Sequence, residues 1–130
     1  MSATPTTFPA GDDIARAWWN GVADGRIGYQ VCADCGAVQF YPRSHCTACG
    51  SARCETRASK GAGAIFSITV VHRPPSEALR AHAPYAIALV DLDEGFRMMA
   101  HADPGCAIGD RVTAAFIPFG DRVVPRFARA

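Results

Sequence analysis

The sequence predicts a mainly β protein in three parts: an N-terminal tail and helix over residues 1–25, a cysteine-knuckle ribbon over 26–60, and a five-stranded barrel over 61–130. Three observations predict it. Two C-x2-C-Gly turns, Cys32-Ala33-Asp34-Cys35-Gly36 and Cys46-Thr47-Ala48-Cys49-Gly50, are separated by ten residues. Five short runs rich in β-branched and aromatic residues follow, divided by turns that contain Gly or Pro. One stretch with Ile14, Trp18 and Val22 on a single helical face precedes both.

Asp12 or Asp13 is placed to cap that helix, which is expected to run to about Val22, with Gly25 as its stop. Trp18 and Trp19 are adjacent, hence about 100° apart around the axis. So short a helix cannot turn both into one small core. Either one packs on the body while the other faces a partner, or both cover the domain.

The ribbon begins with a strand, Tyr29 to Cys32, that runs into the first knuckle. Val38 to Tyr41 returns, and Pro42-Arg43 leads to the second knuckle. A C-x2-C turn sets two sulfurs on one side of a tight loop, with backbone N–H groups aimed at them. Two matching half-sites in a stretch with little apolar core of its own predict one tetrahedral metal ion held by Cys32, Cys35, Cys46 and Cys49. Four thiolates leave no open coordination position, so the ion is structural rather than catalytic. Zinc is the expected metal, though iron fits the same four thiolates. His45, next to Cys46, is off the x2 spacing and is expected to face solvent. Disulfides or a redox C-x2-C are the alternatives, and the duplicated knuckle argues against both.

The barrel strands are expected at 64–73, 85–92, 96–102, 111–117 and 122–127. Ala64, Phe66, Ile68 and Val70 share the inward face of the first, and Phe96 is also assigned to the core. Asp93-Glu94-Gly95 forms a three-residue hairpin loop, and Pro118 to Asp121 forms the last turn. Five short strands with glycine-rich turns point to an OB-fold. The boundary falls near Ser59 to Gly63.

Composition narrows the function classes. The formal charge is +1, with Lys60 the only lysine among thirteen basic residues. A nucleic-acid binder generally carries a basic stripe, so such a partner is not expected. No segment approaches the ~18 apolar residues of a membrane span. Residues 1–11 lack the basic and apolar regions of a signal peptide, and a cytoplasmic location is the expectation. Cys54 reads as a small hydrophobe. Cys106, in the Asp103-Pro104-Gly105 turn, has no base in a recognisable signature with it. The carboxylates Asp91, Asp93 and Glu94 read as solvated at a hairpin tip, and no glycine-rich phosphate loop is present. No catalytic residue is therefore assigned. The connection from Arg73 to Pro84 is long for a small barrel, and long connections are often functional. Its Arg73, Arg80 and His82 are placed to meet ligand phosphates, unless the segment is only a proline-stiffened solvated loop.

In this order the motifs resemble the acyl-CoA-associated zinc-ribbon/OB-fold family, formerly a domain of unknown function. The resemblance spans about Ile14 to Phe127. It rests on the Trp-bearing helix, Gly25-Arg26-Ile27, both knuckles, Tyr41-Pro42-Arg43, the Gly61 to Thr69 strand, Pro84-Tyr85, Asp91 to Gly95, and Ile108 to Val112. Tyr41 stands where the family has Pro, and Thr56 where an aromatic is common. The resemblance implies a rubredoxin-like zinc ribbon and a non-catalytic accessory subunit. Such subunits associate with a thiolase-superfamily enzyme and help bind or pass acyl-CoA thioesters in steroid side-chain, fatty acid or aromatic acid degradation. It assigns Arg73, Arg80, His82 and Tyr85 to acyl-CoA, and Trp18 or Trp19 to the partner. A partner of the MaoC-type hydratase class, a single-stranded nucleic-acid module and a small enzyme using Cys106 or a histidine are the alternatives, in descending order.

Overall fold

The computed structural model describes residues 13–130, so the capping role considered for Asp12 and the tail assigned to 1–11 lie outside the described residues. Helix α1 spans Asp13–Ala23. Three ribbon strands follow: β1 (Ile27–Cys32), β2 (Val38–Gln39) and β3 (Cys54–Ser59), in the order β2-β1-β3, all antiparallel. The return strand is shorter than its sequence suggests. It stops at Gln39 because Phe40 turns into the core and Pro42 has no N–H to donate.

Five strands then close a barrel in the order β4-β5-β6-β8-β7: β4 (Ala62–Val71), β5 (Tyr85–Leu92), β6 (Arg97–Ala102), β7 (Arg111–Phe119) and β8 (Arg122–Arg129). All neighbouring pairs are antiparallel except β6 and β8. This is the OB-fold arrangement anticipated from the strand count. A 3-10 helix, Glu77–His82, lies inside the long β4–β5 connection. None of the described helices is long and apolar enough to cross a membrane.

One face assignment fails. Phe66 is 47% exposed, with the Arg97 guanidinium 3.5 Å from its ring centroid, and Val70 is also exposed. The register of β4 on β5 shifts between Ile65 and Ser67. That bulge moves the inward face onto Gly63 and Ile65 before it and Ile68 after it, breaking the simple alternation.

One core serves both sheets. Val90, Met98, Val112 and Phe127 fill the barrel, and Ile27, Tyr29 and Phe40 of the ribbon join them. The junction is a stack of rings, with Phe96 of the barrel 5.1 Å from Tyr29 and 5.1 Å from Phe40. Helix α1 packs across both β1 and β8, with Val22 fully buried. At the joint, Glu94 accepts hydrogen bonds from Ser59 Oγ (2.6 Å) and the Lys60 N–H (2.8 Å). Through Glu94 the hairpin tip is a latch between the sheets, while Asp91 and Asp93 stay about half exposed, as the sequence suggests for a hairpin tip. Its other carboxylates take arginines: Asp91 binds Arg97 and Asp93 binds Arg111, each through two hydrogen bonds.

A candidate metal centre and the surfaces around it

The two knuckles have the same local geometry. The Gly36 N–H donates to the Cys32 carbonyl at 2.9 Å, and the Gly50 N–H to the Cys46 carbonyl at 2.9 Å. Both glycines have positive φ, 76° and 79°, which explains the residue type after each second cysteine. The Cys35 N–H points at Cys32 Sγ (3.5 Å) and the Ala48 N–H at Cys46 Sγ (3.4 Å).

The four sulfurs lie within 4.8 Å of one another. Cys32 to Cys49 and Cys35 to Cys46 are each 3.6 Å apart. Four ligands ~2.3 Å from one ion at tetrahedral angles stand about 3.8 Å apart, so the residues fit a four-cysteine zinc site. Cys32 and Cys46 are buried, and Cys35 and Cys49 face outward. The thiol chemistry agrees. The Cys35 N–H, above all, draws Cys32 down to about 6. The Ser51 N–H pulls Cys49 down, but the neighbouring Cys32 and Cys35 sulfurs outweigh it and push Cys49 up to about 12. Four thiolates cannot share this space without a cation.

A hydrogen-bonded shell holds the knuckles in register. Gln30, only 8% exposed, donates to the Arg43 carbonyl (2.9 Å) and accepts from the Arg43 N–H (3.0 Å) and from Gln39 (2.7 Å). Gln39 in turn accepts from the Thr47 N–H at 3.0 Å. Asp34 of the first knuckle accepts from Ser51 Oγ and from Arg53 Nη1 after the second. His45 is outside the sulfur cluster, exposed, with its Nδ1 2.9 Å from Ser44 Oγ.

The tryptophans divide. Trp18 packs on the shared core, and its Nε1 donates to the Gly28 carbonyl at 2.9 Å. Trp19 lies edge-on to Trp18 at 4.7 Å, with the Arg122 guanidinium 4.4 Å from its ring. Both border an apolar groove of about 390 Å³ together with Tyr41, Met99, Val124 and Pro125. Tyr41 and Met99 are more than half exposed there.

The residues assigned to acyl-CoA separate too. His82 and Tyr85 come together over Phe119, with ring centroids 4.1 and 5.9 Å from it. Arg73 and Arg80 are exposed and do not line that cleft. His101 and Arg126 do, and the sequence reading missed both. Cys106 lies in the loop between β6 and β7, as the sequence suggests, and its thiol is buried in the core.

A cysteine-knuckle ribbon fused to an OB barrel, with a helix across both, defines a class of zinc-ribbon/OB-fold proteins. Residues 19–55 match the model for "ChsH2, rubredoxin-like zinc ribbon domain" and residues 56–116 that for "ChsH2, C-terminal OB-fold domain". The chain belongs to this ChsH2, or DUF35, family. It is 36% identical over 90 residues to a DUF35 domain-containing scaffold protein of Methanothermobacter thermautotrophicus, 65% of this chain and 67% of that one. Over 117 residues it is 37% identical to the 3-oxo-4,17-pregnadiene-20-carboxyl-CoA hydratase alpha subunit of Mycobacterium tuberculosis, 87% of this chain but 37% of that one. The chain thus spans well under half the length of the curated hydratase alpha subunits it matches. A chain in the solved structure of an Ltp2-ChsH2(DUF35) aldolase is 29% identical to it, at a TM-score of 0.81, covering 94% of this chain and 98% of that one.

Proposed function

We propose that this protein is a non-catalytic, zinc-bearing accessory subunit of an acyl-CoA enzyme of the thiolase superfamily, such as an aldolase. The similarity along nearly the whole of both chains to the Ltp2-ChsH2(DUF35) aldolase carries the reading. Cys32, Cys35, Cys46 and Cys49 would hold one zinc ion, which supplies stability to the ribbon and no reaction step. The three parts 1–25, 26–60 and 61–130 are kept as the working division, with cytoplasmic location.

The partner is assigned to the apolar groove beside α1. Its support is the exposed Tyr41 and Met99 with Trp19 at its border, since apolar and aromatic anchors carry most interface energy. Acyl-CoA is assigned to the side of the barrel bearing Arg73, Arg80, His82 and Tyr85. The two names that read hydratase alpha subunit favour a second reading, in which the partner is a MaoC-type hydratase.

Co-expression with the enzyme encoded beside it tests both readings. The pair is expected to co-purify and to turn over acyl-CoA faster than the enzyme alone. Trp19→Ala should cost about 2 kcal/mol in association, with zinc content unchanged. An enzyme fully active alone, with co-purification indifferent to Trp19, would defeat the accessory role.

A further inference from the structure

The parallel pairing of β6 and β8 is the one break in the antiparallel order of the barrel, and it sets His101 opposite Arg126. Two connections close over this pair. The β4–β5 segment brings His82, β5 opens with Tyr85, and the end of β7 brings Phe119. Together they form a cleft of about 270 Å³. The strands and loops involved are those with which OB barrels generally engage ligands.

The cleft is chemically one-sided. Among the described residues, its polar side chains are His82, Tyr85, His101 and Arg126, and no Asp or Glu lines it. Elsewhere on the barrel, Arg97, Arg111 and Arg129 each take an aspartate. Arg126 is half-buried and forms no ion pair among the described residues. A half-buried guanidinium beside two imidazoles, with no carboxylate, lacks an anion. The local field supports this, since burial first, then His82 and Arg126, hold His101 toward its neutral form.

The shape says which anion. Phe119 is 6% exposed, with the His82 ring at 4.1 Å and the His101 ring at 4.4 Å. Phe119 itself therefore offers no open face for a base to stack on. A single-stranded nucleic acid needs such platforms along a basic groove, and this chain carries a net +1. A guanidinium fork with several N–H and O–H donors suits a single phosphate group.

We propose that this cleft is a phosphate-binding site, with Arg126 supplying the charge and His101 and Tyr85 the further hydrogen-bond donors. Naming its natural source as the nucleotide end of an acyl-CoA rests on the function proposed above. The site itself does not.

The test is titration of the zinc-loaded full chain with inorganic phosphate, CoA and dephospho-CoA, followed by the NMR ring signals of His82 and His101. Each is expected to shift both signals saturably, with CoA the tightest. Dephospho-CoA matching CoA assigns the diphosphate; weaker binding assigns the 3′-phosphate. Arg126→Gln should weaken all three at least about ten-fold, as loss of a charged hydrogen bond implies. Arg126→Lys, which keeps the charge without the fork, should lie between. Absence of saturable shifts at millimolar phosphate and CoA, or an unchanged affinity in both Arg126 variants, overturns the site. Saturable phosphate binding with CoA no tighter upholds the site but removes acyl-CoA as its source, independently of any co-purification result. An oligothymidine that binds more tightly than CoA overturns the small-ligand assignment.

Discussion

In the barrel, each strand has a hydrogen-bonded neighbour on either side, and residues such as Phe127, Val90 and Val112 are fully buried. In the ribbon, β2 is two residues long, and β3 has no buried position along its six residues. The ribbon buries apolar groups chiefly on β1 and at Phe40, and it does so against the barrel and α1. The barrel is thus held by area removed from water, whereas the ribbon is held by four sulfurs and a borrowed surface. A small fold with little core needs a metal or a neighbour; this ribbon has the neighbour, and its four clustered sulfurs are placed for the metal.

Losing one sulfur tests that contrast most severely. Cys46→Ser keeps the volume but removes a ligand. It should forfeit much of the ~10–16 kcal/mol that structural zinc couples to folding. Metal analysis should read well below one zinc per chain, and NMR should show ribbon resonances collapsed while barrel resonances persist. Strong chelation should give the same pattern. Simultaneous loss of both sets would erase the distinction drawn here.

Phe127→Ala attacks the other mode. Truncating a fully buried aromatic should cost about 3–5 kcal/mol, seen in urea unfolding, with the zinc retained by whatever fraction stays folded. Gly63→Ala follows at about 1–3 kcal/mol. A Cβ there would lie 2.3 Å from the Asp91 carbonyl, across the closest approach of β4 and β5. An unchanged melting temperature for Gly63→Ala would mean that this seam is looser than it stands.

Smaller effects sharpen the joint. Glu94→Gln weakens the acceptor for Ser59 and Lys60 and should cost about 1 kcal/mol, read as faster amide exchange at Lys60. Smallest is the acid response. Hydrogen bonds from Arg97 and Arg111 hold Asp91 and Asp93 below the ordinary 3.8. Their contribution is therefore fully present above that value and is lost as the pH falls through the lowered ones. Thermal melts should drop modestly below about pH 4, and added salt should blunt the change.

How much of this was legible follows from how local each signal is. The knuckles announce themselves, because Cys32 to Gly36 and Cys46 to Gly50 each carry their own turn chemistry within five residues. The Asp93 to Gly95 turn was legible for the same reason. The inward face of β4 was not, because a bulge at Ile65–Ser67 defeats counting by twos. The phosphate cleft lay further out of reach. His101 and Arg126 are twenty-five positions apart, and only the parallel register of β6 on β8 makes them neighbours. The hairpin-tip carboxylates looked idle because their partners, Ser59 and Arg111, sit on other elements.

The strand order has a consequence for how the molecule is made. β8 lies between β6 and β7, and it is also the surface on which α1 packs. Every other described element precedes β8 in the chain and is synthesised before it. Until then β6 and β7 are both open edges, and one side of α1 has nothing to rest on. Edges of this kind recruit foreign strands. The ribbon, whose cysteines are all translated early, can meanwhile take its metal and shelter Phe96 under Tyr29 and Phe40. The nascent chain therefore carries its own holding device, and the last strand converts an exposed sheet into a ring in a single insertion.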